Sequence, residues 1–237
     1  MAITANGSLN SVTGTALTSL TLTATSAIGD IRCFHSKINS SSITVTGLSG
    51  GNVTTWTRVA GPTTDTSGVP ATHDLWIGTC TGAGTTSITV TWSGSVAGLA
   101  TDFVCQTFTN SNTATTWARD GAALALLNNA SSTTVTYPTA TAAGTGELYF
   151  GHGRCASGGS YSQPAGGTEV TDANGNPTIY LLAAGAGSVS PTHTSTATLS
   201  YTIGVLVIAT IPGVATNIPR RVRPAGMTQA VKRASIY

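Results

Sequence analysis

An imidazole, a guanidinium and a thiol stand close together at His152-Gly153-Arg154-Cys155. Nucleophilic catalysis needs a Ser or Cys beside a His and an orienting acid, and this is the closest local grouping in the chain. No Gly-x-Ser-x-Gly elbow occurs, and the segment reads better as a strand end running into the Gly-rich stretch 157–159. Glycoside hydrolysis needs two facing carboxyl groups. Glu147 and Glu169 are the only glutamates, each beside a turn, while Asp65, Asp74, Asp102 and Asp120 are scattered singly. These carboxylates are expected in solvated loops. Asp172-Ala-Asn174-Gly-Asn176 begins like a calcium loop, but Pro177 follows and no glutamate comes later. Asn174-Gly175 suits a tight hairpin turn instead. Trp56, Trp76, Trp92 and Trp117 suit either a sugar-stacking platform or a sandwich interior, and their strand context favours the interior. The sequence therefore predicts no catalytic residue, no metal site and no cofactor.

The strongest chemical signal is charge. Arg220, Arg221, Arg223, Lys232 and Arg233 supply five of the ten Lys and Arg residues, and no Asp or Glu lies beyond Asp172. The rest of the chain carries five bases against eight acids, a net of −3. Arg forks match carboxylates on a protein neighbour or phosphates on a nucleic acid. Ile218, Val222, Met227, Val231 and Ile236 add apolar anchors that a phosphate-binding tail would not need, and only Tyr237 is available for base stacking. Docking on protein is thus favoured over nucleic acid. Pro212 and Pro219 interrupt any sheet ladder, so the domain expectation is a body over 1–211 and an extended basic arm over 212–237. Fully extended, residues 217–237 reach roughly 65–70 Å.

Period-two alternation dominates the body, and helical periodicity is almost absent. Strands are expected at 16–23, 31–35, 42–48, 55–60, 74–79, 87–92, 102–108, 133–137, 147–152, 178–183, 197–201 and 204–211. The clearest is 87–92, with Ile88, Val90 and Trp92 on one face and Ser87, Thr89 and Thr91 on the other. Residues 121–129 fit a short helix or another strand. Short strands at this spacing point to an antiparallel sandwich or barrel. The segments 41–51, 86–94 and 131–138 echo one another around Thr-Val-Thr, as duplication or biased composition would each produce.

Charged residues make up only 8% of the chain, far below the roughly 25% of ordinary soluble domains. Such a surface suits an exported protein or one held in a crowded assembly. Residues 1–22 lack Lys and Arg and any continuous apolar run, so no signal peptide is expected. Residues 203–211, the most apolar run, are too few to span a bilayer. Cys33, Cys80, Cys105 and Cys155 form no Cys-x-x-Cys pair, and buried thiols are favoured over disulfides or a metal.

Val53-Thr-Thr-Trp-Thr-Arg-Val59, His73-Asp-Leu-Trp-Ile-Gly78, Ser87-Ile-Thr-Val-Thr-Trp-Ser-Gly94 and Gly146-Glu-Leu-Tyr-Phe-Gly151 occur in that order. In this series the chain resembles structural proteins of tailed bacteriophages of actinobacterial hosts, a group of capsid decoration and minor tail proteins. The likeness spans residues 1–211 as a pattern. It implies an all-β, jelly-roll-like antiparallel β-sandwich without enzymatic activity, displayed on the virion surface after assembly in the bacterial cytoplasm. The implied partners are the major capsid protein or tail proteins of the same particle, in a homo-oligomer or multi-copy assembly. Membrane is not implied. A capsid decoration or minor capsid role is favoured. The rival is a minor tail protein of the tube or tip, with host receptor or glycan binding. The basic arm is not a regular part of the pattern, and its docking role rests on its own residues.

Overall fold

The computed structural model describes residues 2–14, 21–66, 69–128, 132–155, 159–196 and 200–210. Every regular element among them is a strand. The first half contains β1 (Ile3–Gly14), β2 (Thr21–Ser26), β3 (Ile31–Ile38), β4 (Val45–Gly50), β5 (Thr57–Thr64), β6 (Thr72–Thr79), β7 (Gly84–Trp92) and β8 (Thr101–Asn110). The second contains β9 (Thr116–Arg119), β10 (Leu127–Asn128), β11 (Thr134–Thr136), β12 (Ala140–Ala142), β13 (Glu147–Cys155), β14 (Thr168–Thr171), β15 (Pro177–Ala184), β16 (Gly187–Val189), β17 (Thr192–Thr194) and β18 (Ser200–Thr210).

These form two antiparallel β-sandwiches stacked face to face. In the first, an outer sheet β2-β7-β4 covers an inner sheet β1-β8-β3-β6-β5. In the second, the inner sheet runs β10-β18-β13-β15-β14, with β9 also on β18, and two short pairs, β11-β17 and β12-β16, cover its far side. The inner sheets repeat one strand order: β8, β3, β6, β5 correspond to β18, β13, β15, β14. The outer layers follow suit: β2 pairs with β7, and β11 and β12 pair with β17 and β16, so in each sandwich chain just before β3 or β13 joins chain just before β8 or β18. The Thr-Val-Thr echo is not the mark of this repeat. Its first two copies lie in β4 and β7, which pair with each other.

Three apolar layers result. Leu22, Val45, Ile88 and Val90 meet Phe34, Ile38, Trp76 and Phe103 inside the first sandwich. Val135 and Tyr137 meet Tyr149, Ile179 and Leu206 inside the second. Ile31, Cys33, Leu75, Ile77 and Phe108 meet Leu148, Phe150, Ile203, Val205 and Val207 where the inner sheets face each other. Inner strands are therefore buried on both faces, and all eight residues of β3 are buried. Alternation along β3 sends Phe34 and Ile38 into the first sandwich and Ile31 and Cys33 toward the second.

Several expectations need correction. β1 was not foreseen, because Asn, Gly and Ser interrupt its apolar pattern; it survives as an edge strand by pairing with β8. The break expected between 201 and 204 is absent, because β18 runs through Ser200–Thr210 as one strand; residues 197–199 and 211 lie outside the described residues. Of the stretch 121–129, the described residues 121–128 form no helix, and Leu127–Asn128 pairs briefly with β18, the strand alternative. The carboxylates Asp65, Asp74, Asp102 and Glu147 are buried rather than solvated: Asp74, Asp102 and Glu147 lie on strands, and Asp65 lies on the β5–β6 connection.

Candidate functional site

The chain places most of its reactive groups between the two inner sheets, beyond the apolar contact just described. The parity that points Ile31 and Cys33 at the second sandwich also points His35 and Lys37 there. β6 contributes His73, its approach from β5 contributes Asp65, and β8 contributes Asp102. From the other side β13 supplies His152 and Arg154, and the β14–β15 hairpin supplies Asp172, Asn176 and Thr178.

Two chains of contacts run through this layer. His73 Nε2 lies 3.0 Å from Asp65 Oδ2, and the Arg154 guanidinium donates to the same oxygen at 2.5 Å, tying the sandwiches together. Arg154 also donates to the Val69 carbonyl. His73 Nδ1 is 3.3 Å from His35 Nε2, and the His35 ring stacks on His152 with centroids 4.0 Å apart. His152 Nδ1 meets Thr178 Oγ1 at 2.9 Å, and its Nε2 is 3.9 Å from Asp172 Oδ2. Asn176 Nδ2 donates to Asp102 Oδ2 at 2.6 Å. The Asp172 Oδ1 accepts the backbone N–H groups of Asn174 and Asn176, which shapes the hairpin turn.

Burial sets the protonation states. It pushes His35 well below the usual imidazole value, reinforced by His152, His73 and Lys37. It lowers His152 to about 4 against the pull of Asp172, and lowers His73 against its hydrogen bond to Asp65. The imidazoles are thus neutral near pH 7. Burial raises Asp102, and the neighbouring Asp172 charge raises it further. Burial lowers Lys37, which Asp102 partly offsets. A further buried carboxylate, Asp74, faces the other way and pairs with Arg58 at 3.0 Å; burial pushes it to about 6. The Arg58 guanidinium lies over the Trp76 ring and donates to the Val45 carbonyl.

Chemically, Asp65–His73–His35 is the arrangement of a proton relay, and Asp102, His152 and Asp172 are donors suited to a cation. Neither faces a substrate: His35, His73 and His152 are each at most 1% exposed. The sequence singled out His152 to Cys155 as one group, but strand alternation separates them. His152 turns to the inter-sandwich layer, while Cys155 approaches Tyr161 and Ser195. All four cysteines are buried and unpaired. Trp76 and Trp117 are buried, and Trp56 and Trp92 pack against the first core. The Asn174-Gly175 turn forms as expected, Gly175 taking positive φ. The proposed arm residues, from Ile218 to Tyr237, lie outside the described residues. The polar layer itself was missed. Its trace in the sequence was the presence of His35, Lys37 and His73 inside otherwise apolar strands.

The fourth histidine gives a test of burial. His193 on β17 sits between the Tyr161 ring, stacked at 5.2 Å, and the Tyr137 ring, edge-on at 5.6 Å. Burial lowers it to about 4. The unfolded chain binds this proton near pH 6.5, the folded chain only near 4. The contribution to stability is therefore complete above pH 6.5 and is lost as pH falls from 6.5 to 4, by about 2–3 kcal/mol. The expected result is that His193→Phe, which keeps an aromatic ring in the slot, loses less stability than the parent over that interval. Urea unfolding at several pH values reads the difference, and equal slopes would show that His193 is not buried neutral.

No protein-family model matches this chain, and no curated protein or solved structure matches it significantly.

Proposed function

We propose that this chain is a non-enzymatic structural protein of a tailed-bacteriophage virion, a capsid decoration or minor capsid protein secured by its basic C-terminal arm. One observation carries the assembly reading. The body has thirteen charged side chains, five basic and eight acidic, and only Arg119 is exposed. Eight are buried and four are half-buried. The outside of the stacked sandwiches is Thr, Ser, Gly and Ala, with little charge to oppose association. Such a surface suits a body held among neighbours in a particle. The chemically reactive groups of the inter-sandwich layer are enclosed between sheets, which also favours a structural role.

The arm adds five positive charges with interspersed apolar residues, suited to run over neighbouring capsid subunits and to bind several at once. The experiment is quantitative protein analysis with electron microscopy of particles that carry the full chain or a chain lacking residues 217–237. The expected result is many copies on the shell for the full chain and loss of incorporation for the truncation, whose body stays folded. Normal incorporation of the truncation would sink the arm. Few copies confined to the tail would favour the rival, a minor tail protein. Absence from particles would overturn the virion reading.

A further inference from the structure

Three buried atoms point to a ligand. His152 Nε2, Asp102 Oδ1 and Asp172 Oδ2 are sealed from solvent, and none has a hydrogen-bond partner. In each residue the other polar atom is pinned. Thr178 meets His152 Nδ1, Asn176 donates to Asp102 Oδ2, and two backbone N–H groups hold Asp172 Oδ1. The three side chains each offer one ligand atom, and those atoms lie within 4.8 Å of one another. Three lone-pair donors held this close in a dry interior repel unless something positive lies among them.

We propose that Asp102, His152 and Asp172 form a structural site for a divalent transition cation, of the zinc or manganese kind, that clamps the two sandwiches together. The ligand chemistry, one imidazole nitrogen with two carboxylates, suits these ions. Calcium prefers six to eight oxygens. Around zinc, with bonds of about 2.0–2.2 Å, the ligand atoms draw in from their present spacing. Thr178 plays the orienting part that outer-shell partners play for metal-bound imidazoles: with the Nδ1 proton donated to its hydroxyl, the Nε2 lone pair faces the carboxylates. Asp102 comes from the first sandwich and His152 and Asp172 from the second, so the ion would join elements more than forty residues apart in sequence.

Lys37 aligns with Asp102 across β3 and β8, and Arg154 is engaged with Asp65. One ammonium against two carboxylates leaves one negative charge. The rival way to balance it is a proton shared by Asp102 and Asp172.

Because the site is enclosed, the ion must enter during folding. Untagged full-length chain would be unfolded with chelator, refolded with Zn²⁺, with Mn²⁺ or with neither, and dialysed before elemental analysis and thermal unfolding. The expected result is about one ion per chain and a midpoint higher by about 10 °C than in the metal-free sample. Asp172→Asn keeps the side chain's shape and its turn-forming oxygen; it should refold with less than about a tenth of the metal. Should that variant fail to fold, the parent's own metal content and shift decide the matter. A parent that refolds without metal from either ion, with an unchanged midpoint, would overturn the site and leave the shared proton as the balancing charge.

Discussion

Replacing Asp65 with asparagine is expected to lower stability by about 3 kcal/mol, a fall in thermal midpoint of roughly 6–12 °C for a chain of this size. Asp65 is fully enclosed, and its partners include Ala71, His73 and Arg154. Its Oδ1 accepts the Ala71 N–H, closing the connection between β5 and β6, and its Oδ2 meets His73 and Arg154. Asparagine preserves the first contact and the volume, so the loss isolates the charge. Arg154 reaches Asp65 from the other sandwich, and its side chain is only 12% exposed. Deleting one partner leaves the other's charge poorly hydrated, which costs more than the pair itself contributes. Arg154→Met alone should therefore also destabilise, while the double variant should lose clearly less than the sum. Thermal unfolding of the four proteins measures this. Strict additivity would show that the bridge does not couple the sandwiches.

An equally large loss, about 3 kcal/mol or more, is expected from Gly204→Ala. Gly204 on β18 lies directly opposite Gly151 on β13. Together they leave a bare patch at the centre of the second inner sheet, and two tyrosine rings fill it. A Cβ at 204 would overlap the Tyr149 hydroxyl, and one at 151 would fall 2.6 Å from a Tyr137 ring carbon. Neither ring has room to retreat. Both are fully buried, and Tyr149 donates to the Pro138 carbonyl at 2.6 Å. Gly47→Ala is the control, because a Cβ there meets nothing within 4 Å; it should change stability by less than about 0.5 kcal/mol. Denaturant unfolding compares the two. A Gly204 variant as stable as the control would mean that Tyr149 has another place to go.

How legible each element was in the sequence follows from how many of its faces are covered. β7 belongs to an outer sheet with one wet face, and its alternation of Ile88, Val90 and Trp92 with Ser and Thr could be read directly. β3 is covered on both faces, and only its first five residues were recognised. Ser36 looks like a solvent position until the outer sheet of its own sandwich covers it, and Lys37 until the second sandwich does. The short strands β12, β14, β16 and β17 carry too few residues to show a period.

The sequence by itself determined the all-β class, most strand positions, the hairpin at Asn174-Gly175 and the concentration of positive charge in residues 220–233. These rest on local causes: branched and small residues suit pleated strands, and glycine permits the turns. Only the tertiary structure decided that the body is two sandwiches with one strand order. It also decided that nearly every body charge is withdrawn from the surface, and that Asp65, His73, Asp102, His152 and Asp172 share one layer. Residues up to 107 positions apart, Asp65 and Asp172, meet there because the inner sheets stack face to face. Strand alternation tells which side of a sheet a residue takes; whether water or another sheet waits on that side is settled by packing alone.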